Sequence, residues 1–173
     1  MKTFKQYLNE DSTIDKLEQN IRVAFPDTKK RQKDINSVTV TKVTFKPEGY
    51  NLIVDGMTRS NNTGSVHTPR LYFSGVKYVP VGTPNSAALE GTETAVEPIQ
   101  SGSLTVQVAC DCMDFRFRFA GFNKGDNSLA GIAPPPYQRK TTTRPEVNPA
   151  RVPGVCKHIL KLAQYLQQKR IVI

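Results

Sequence analysis

Cysteine and histidine are scarce in this chain, and they fall into one pattern. Cys110 and Cys112 stand one residue apart in VACDCMDFRFRF, and Cys156 and His158 stand one residue apart in PGVCKHILKL. The pattern uses all three cysteines and one of the two histidines, and the 43 residues 113–155 separate its halves. Thiolate sulfur and imidazole nitrogen are the donors that suit a four-coordinate thiophilic ion. Any fold built on this pattern has to bring two distant segments to one point.

Three thiolates and one neutral imidazole complete a closed Cys3His shell around Zn2+. With no open position, such a site builds structure rather than catalysing. Residues i and i+2 of a flat strand share a side but lie about 7 Å apart. Sulfurs on one zinc ion lie about 4 Å apart, so the chain is expected to curl at Asp111–Met113. Downstream, Pro153 and Gly154 bend the chain into a helix that opens near Cys156. The free N–H groups and positive dipole end there favour a thiolate. Arg151 and Lys157 are placed to offset the residual negative charge. Closing the long loop costs little because the entropy grows slowly with length, against about 10–16 kcal/mol from a structural zinc. Other readings of the same residues are three buried free cysteines, a redox pair, or an iron–sulfur ligand set. Cys-x-Cys is tight for a disulfide, and histidine is an uncommon ligand in ordinary clusters.

Around this pattern the periodicity predicts an α+β chain, with N-terminal helices, an antiparallel β core, and a C-terminal helix tied to a β-hairpin by the zinc site. Residues 1–26 read as a helical segment. Phe4, Tyr7 and Leu8 share one face; after a fresh cap in DST, Ile14, Leu17, Ile21 and Ala24 share another, and Pro26 ends the pattern. Residues 37–173 read as a β-rich core. In SVTVTKVTFK the alternation slips near Thr41, which predicts a bulge. GYNLIVDGMT and PRLYFSGVKYVPV read as strands around a polar tip, and GTPNSAALEGTETAVEPIQSGS reads as loop. Leu104, Val106, Val108, Cys110 and Cys112 then fall on one strand face. Phe115, Phe117 and Phe119 alternate with Arg116 and Arg118, so the two runs are expected to form a hairpin turning at the cysteines. A long Pro-rich insertion, residues 120–154, leads to a final amphipathic helix with Ile159, Leu162, Ala163 and Leu166 as its stripe.

The Cys-x-Cys and Cys-x-His pairs, the second at a helix start, resemble the SWIM zinc finger over residues 110–166. That resemblance implies Cys110, Cys112, Cys156 and His158 as ligands of one structural zinc; the spacer is long for the family. The opening MKTFKQYLNE resembles the start of virion proteins of T4-like tailed bacteriophages, and CDCMDFRFRF…PGVCKHIL resembles phage virion proteins with a SWIM-like site. This second resemblance implies a non-enzymatic structural or assembly protein of the neck, tail, baseplate or capsid. It implies assembly in the host bacterial cytoplasm and, as partners, other virion proteins or copies of the chain itself.

The net charge of +9 favours anionic partners. The alternative expectation is therefore a SWIM-type nucleic-acid-binding protein, with Lys29, Lys30, Arg31, Arg116, Arg118, Arg139 and Lys140 on phosphates. FRFRF could stack on single strands, or its phenylalanines could simply fill the core. His67 reads as a surface histidine in a polar tip, and Asp111 and Asp114 as turn formers or hydrogen-bonding neighbours of the metal site. PPPY matches a WW-domain ligand and is read as a coincidence in a polyproline loop. No Gly-rich phosphate loop, H-E-x-x-H or G-x-S-x-G motif is present, and no catalytic residue is assigned. No apolar run is long enough to span a membrane. The polar N-terminus predicts no secretory leader, and hence a reducing compartment in which thiols stay free.

Overall fold

The computed structural model describes residues 12–25, 34–135, 138, 140–141, 143 and 145–173. The expected helix over residues 1–11 and the basic residues Lys29, Lys30, Arg31 and Arg139 lie outside the described residues.

Helix α1 spans Ile14–Ala24. Thr13 caps it by accepting a hydrogen bond from the Lys16 amide, which satisfies one of the free amides of the first turn. Its buried residues, Ile14, Leu17 and Ile21, recur at helical spacing. They join the same core as the sheet, so α1 is part of the core rather than a separate segment.

A short 3-10 turn, Ile35–Ser37, leads into the main antiparallel sheet. Its strands are β1 (Val38–Glu48), β2 (Asn51–Ser60), β4 (Arg70–Ser74) and β8 (Val106–Ala109), in the order β1-β2-β4-β8. The two-residue β3 (Val66–His67) adds beside the far end of β2. The register of β1 on β2 shifts between Val40 and Lys42, so the slip in the hydrophobic alternation at Thr41 is a β-bulge. A second, smaller sheet holds β5 (Tyr78–Pro80), β7 (Thr94–Val96) and β6 (Ala87–Ala88), in that spatial order. Two of its strands come from the segment expected to be loop. They are two and three residues long and rich in alanine and threonine, too short for a period to show.

One face of the main sheet is apolar, with Phe45, Leu52, Val54, Leu71, Phe73, Val106 and Val108 buried. Helix α4, Lys157–Gln168, lies against this face and buries Ile159, Leu162, Ala163 and Leu166, the stripe read from sequence. Gly56 permits the contact, because a Cβ there would stand 3.0 Å from both methyls of Leu162. The open edge of β8 is covered by other segments: the Val106 amide donates to Ser12, the Val108 amide to Ser128, and the Ala130 amide to Val108. The last residues are stitched alongside 99–101, with Ile171 and Val172 buried. Among the described residues, no helix is long and apolar enough to cross a membrane.

The architecture is α+β with antiparallel sheets, as expected, but the segment after Cys112 is not a strand. It forms α2 (Met113–Arg118), followed directly by α3 (Ala120–Gly125) inside the segment expected to be loop. Strand β8 stops at Ala109, before both cysteines. The FRFRF alternation also satisfies helical spacing: Phe115 and Phe119 are i and i+4, and both are buried. The curl expected at Asp111–Met113 is therefore a strand-to-helix turn.

On the opposite face of the sheet, Asp55 bonds Lys46 Nζ at 2.7 Å and Arg70 Nε at 2.5 Å. Burial alone would raise the Asp55 carboxyl. Hydrogen bonds and charge from Arg70 and Lys46 outweigh it and hold the group below the ordinary carboxylate range. A folded value below the unfolded one stabilises the protein fully at neutral pH. That contribution is lost as pH falls through the folded value, below about pH 4. Asp55→Asn is therefore expected to flatten the acid limb of the stability–pH curve, read as urea midpoints from neutral pH downward. An unchanged acid limb would show that the cluster carries no linked stability.

Candidate metal centre

Each donor sits at the end of an element. Cys110 follows β8 by one residue, and Cys112 is the N-cap of α2, its sulfur accepting from the Phe115 amide at 3.3 Å. Cys156 is the N-cap of α4, and His158 is the second residue of that helix. The approach to Cys156 is pinned by three asparagines. Asn20 donates to the Pro153 carbonyl, Asn148 donates to the carbonyls of Arg118 and Val152, and Asn123 accepts from the Gly154 amide. Asn123 and Asn148 are fully buried, and side chains that satisfy backbone groups inside a core fix the path of the chain. Pro153 and Gly154 thus turn into the helix as expected.

The outcome is that Cys110, Cys112, Cys156 and His158 offer four ligand atoms within 4.8 Å of one another, all from buried residues. His158 presents Nδ1 to the cluster, 3.9 Å from the Cys110 sulfur and 3.7 Å from that of Cys156. No cysteine is in a disulfide. The geometry can hold one metal ion.

The environment prepares the thiols unequally. Cys112 is pushed far down, first by hydrogen bonds from the Cys110 and Cys156 thiols, then by His158 and the Phe115 amide, against the opposing effect of burial. Cys110 is pushed up, mainly by the neighbouring Cys112. Cys156 is pushed up by complete burial and then by the other two sulfurs. The sulfur most favoured as a thiolate is the one that caps α2 and accepts from the Phe115 amide.

The residues around the donors include one that sequence reading placed elsewhere. His67 is not an isolated surface side chain. Its ring lies 4.4 Å from the His158 ring, centroid to centroid, tilted by 45°. Its Nδ1 is 3.2 Å from Asp111 Oδ1, and the same oxygen accepts from the Thr68 amide at 2.9 Å. The signal was in the strand register. Arg70 pairs with Ala109, and continuing that antiparallel ladder backward sets His67–Thr68 opposite Asp111–Cys112.

Asp114 pairs with Arg118 at 3.1 Å. Burial raises its carboxyl, Arg118 opposes that, and the Cys112 charge adds to it. Arg118 is largely buried, with its guanidinium 5.3 Å from the Phe25 ring centroid and 5.9 Å from that of Phe119. Its guanidinium is thus held among Asp114, Phe25 and Phe119. Arg116 is exposed and lies over Phe117, and Lys140 is exposed. Arg151 pairs with Glu146, so it is not a free counter-charge for the cluster, whereas Lys157 bonds the neutral Ser37 hydroxyl and keeps its charge beside the site. Comparison with protein-family models, with curated proteins and with solved structures found no match to this chain.

Proposed function

We propose that the chain is a non-enzymatic structural protein whose Cys3His cluster holds one zinc ion, and that it serves as an assembly component of a tailed-phage virion. The observation that carries the metal reading is the completeness of the donor set. Four buried donors within 4.8 Å of one another match the spacing of about 3.5–4 Å that tetrahedral zinc requires, after a small contraction. All four positions of such an ion are taken by protein, so none remains for water or substrate. Three sulfurs and one nitrogen suit zinc over harder ions such as magnesium or calcium. The ion supplies a fastening of the β8–α2 turn to the start of α4.

The virion role rests on the N-terminal resemblance and on the closed, non-catalytic character of the site. Its partners are neighbouring virion proteins or further copies of the chain. Nucleic acid is a secondary partner, drawn by the net charge of +9. The burial of Arg118 weakens the reading in which a basic FRFRF strand tracks phosphates. Two measurements test the proposal. Elemental analysis of the purified protein is expected to give one zinc per chain, and mass spectrometry of purified phage particles is expected to find the chain as a stoichiometric component. A chain without zinc overturns the metal reading, and a chain absent from the particles overturns the virion reading.

A further inference from the structure

Two clefts, each of about 480 Å3, reach the donor cluster from opposite sides. One touches Cys112 and His158, the other touches Cys110. His67 lines the first, while Thr68 and Asp111 line the second. The partition between them is thus the short segment His67–Thr68. Its backbone is fixed to β2, with the Thr58 hydroxyl donating to the His67 carbonyl and the Gly56 amide to the Pro69 carbonyl, and Asp111 holds the His67 ring to the Cys110–Cys112 turn.

We infer that the His67 side chain is the gate through which the metal is exchanged, with Asp111 as its latch. This rests on the structural-zinc reading of the cluster. The His67 ring covers the imidazole of His158, so it limits how far that ring can swing and what can reach it. The covering ring restrains the rotation by which the ligand imidazole would leave the metal, and narrows the approach of a chelator along the first cleft. The tether itself is weak. The Asp111 side chain is 53% exposed, and its hydrogen bonds to His67 and Thr68 compete with water. Swinging one side chain held in this way is far easier than opening the core. Once the ring swings aside, the first cleft opens further onto His158. The arrangement gives slow, controlled release from a site that has no open coordination position of its own.

The test compares zinc transfer to a metallochromic chelator in the full-length protein, its His67→Ala and its Asp111→Ala variants, after each is saturated with zinc and its metal content measured. All three are expected to carry one zinc per chain, with unchanged circular dichroism. Partners in contact with metal ligands typically alter affinity by about 10–100-fold, and release from both variants is expected to accelerate within that range. His67→Phe keeps a covering ring and loses the tether, and is expected to fall between wild type and His67→Ala. Release at the wild-type rate from both alanine variants overturns the gate while leaving the structural metal intact. Zinc-free wild-type protein instead overturns the structural-metal reading itself, so the two failures are distinguishable. The Asp111→Ala variant keeps both rings and removes only the latch, and decides the matter if His67→Ala fails to fold.

Discussion

Stripping the metal with a strong chelator, or replacing Cys156 by serine, is expected to collapse the protein's stability. A structural zinc bound by such a set contributes about 10–16 kcal/mol at neutral pH, whereas the whole net stability of a domain is about 5–15 kcal/mol. Without the ion, three thiols and an imidazole are buried together, compensated only by weak hydrogen bonds among themselves and to the Phe115 amide and Asp111. Cys156 is the donor to remove, because it is fully buried at the N-terminus of α4. Its loss releases the helix from the β8–α2 turn, and the burial of Ile159, Leu162 and Leu166 against the sheet is weakened with it. Thermal unfolding followed by circular dichroism, with zinc content measured in parallel, is the check. Protons compete for the same donors, so acidification that protonates the thiolates and the imidazole is expected to release the metal and reproduce the loss. A metal-free protein that melts at the temperature of the metal-bound one would mean the sheet and helices need no clasp.

Gly154→Ala is expected to be the most damaging single-methyl change. A Cβ at this position would stand 2.7 and 2.8 Å from two ring carbons of Phe119 and 3.2 Å from Ile21. Phe119 is completely buried, edge-on to Phe25, and the Gly154 amide is tied to Asn123. Neither the ring nor the backbone has room to yield. Overpacking of this kind costs about 1–3 kcal/mol or more, and each kcal/mol lowers the melting temperature of a chain this size by about 2–4 °C. Phe119→Ala alone is expected to cost about 3–5 kcal/mol through the cavity it leaves. In that background the new methyl fills part of the cavity, so Gly154→Ala is expected to become neutral or mildly stabilising. The resulting strong coupling is the signature of direct contact. Simple additivity of the two losses would show that the clash is relieved some other way.

The elements legible in the sequence are those whose period is long enough to repeat. Ile14, Leu17 and Ile21 mark α1, and Ile159, Leu162 and Leu166 mark α4. The bulge at Thr41 showed as a change of phase between Val40 and Val43. The donor set was legible because each of its residue types is rare here and the two pairs fall at element ends. The misleading stretch was FRFRF. Its five residues fit both period two and i/i+4, and five residues cannot separate them. The tie is broken by chemistry, since two sulfurs that must converge cannot stay on a flat strand and Cys112 is committed to capping a helix. The fate of Arg118 was illegible for a related reason. Turning the segment from strand to helix moved it from a presumed solvent face to one buried against Phe25. His67 was hidden because its meaning lies in a register between β4 and β8, far apart in the chain and fixed only once the sheet exists.

The division of the donors between two distant stretches has a consequence for biosynthesis. While a nascent chain emerges from the ribosome, it can offer only Cys110 and Cys112 to an ion until another 44 residues bring Cys156, and the donor set is complete only after 46, with His158. On the structural-zinc reading, loading waits for the full donor set, and with it the docking of α4. Contacts this far apart in sequence form late. A bound ion would then mark the chains in which the segment through His158 has been made and correctly placed.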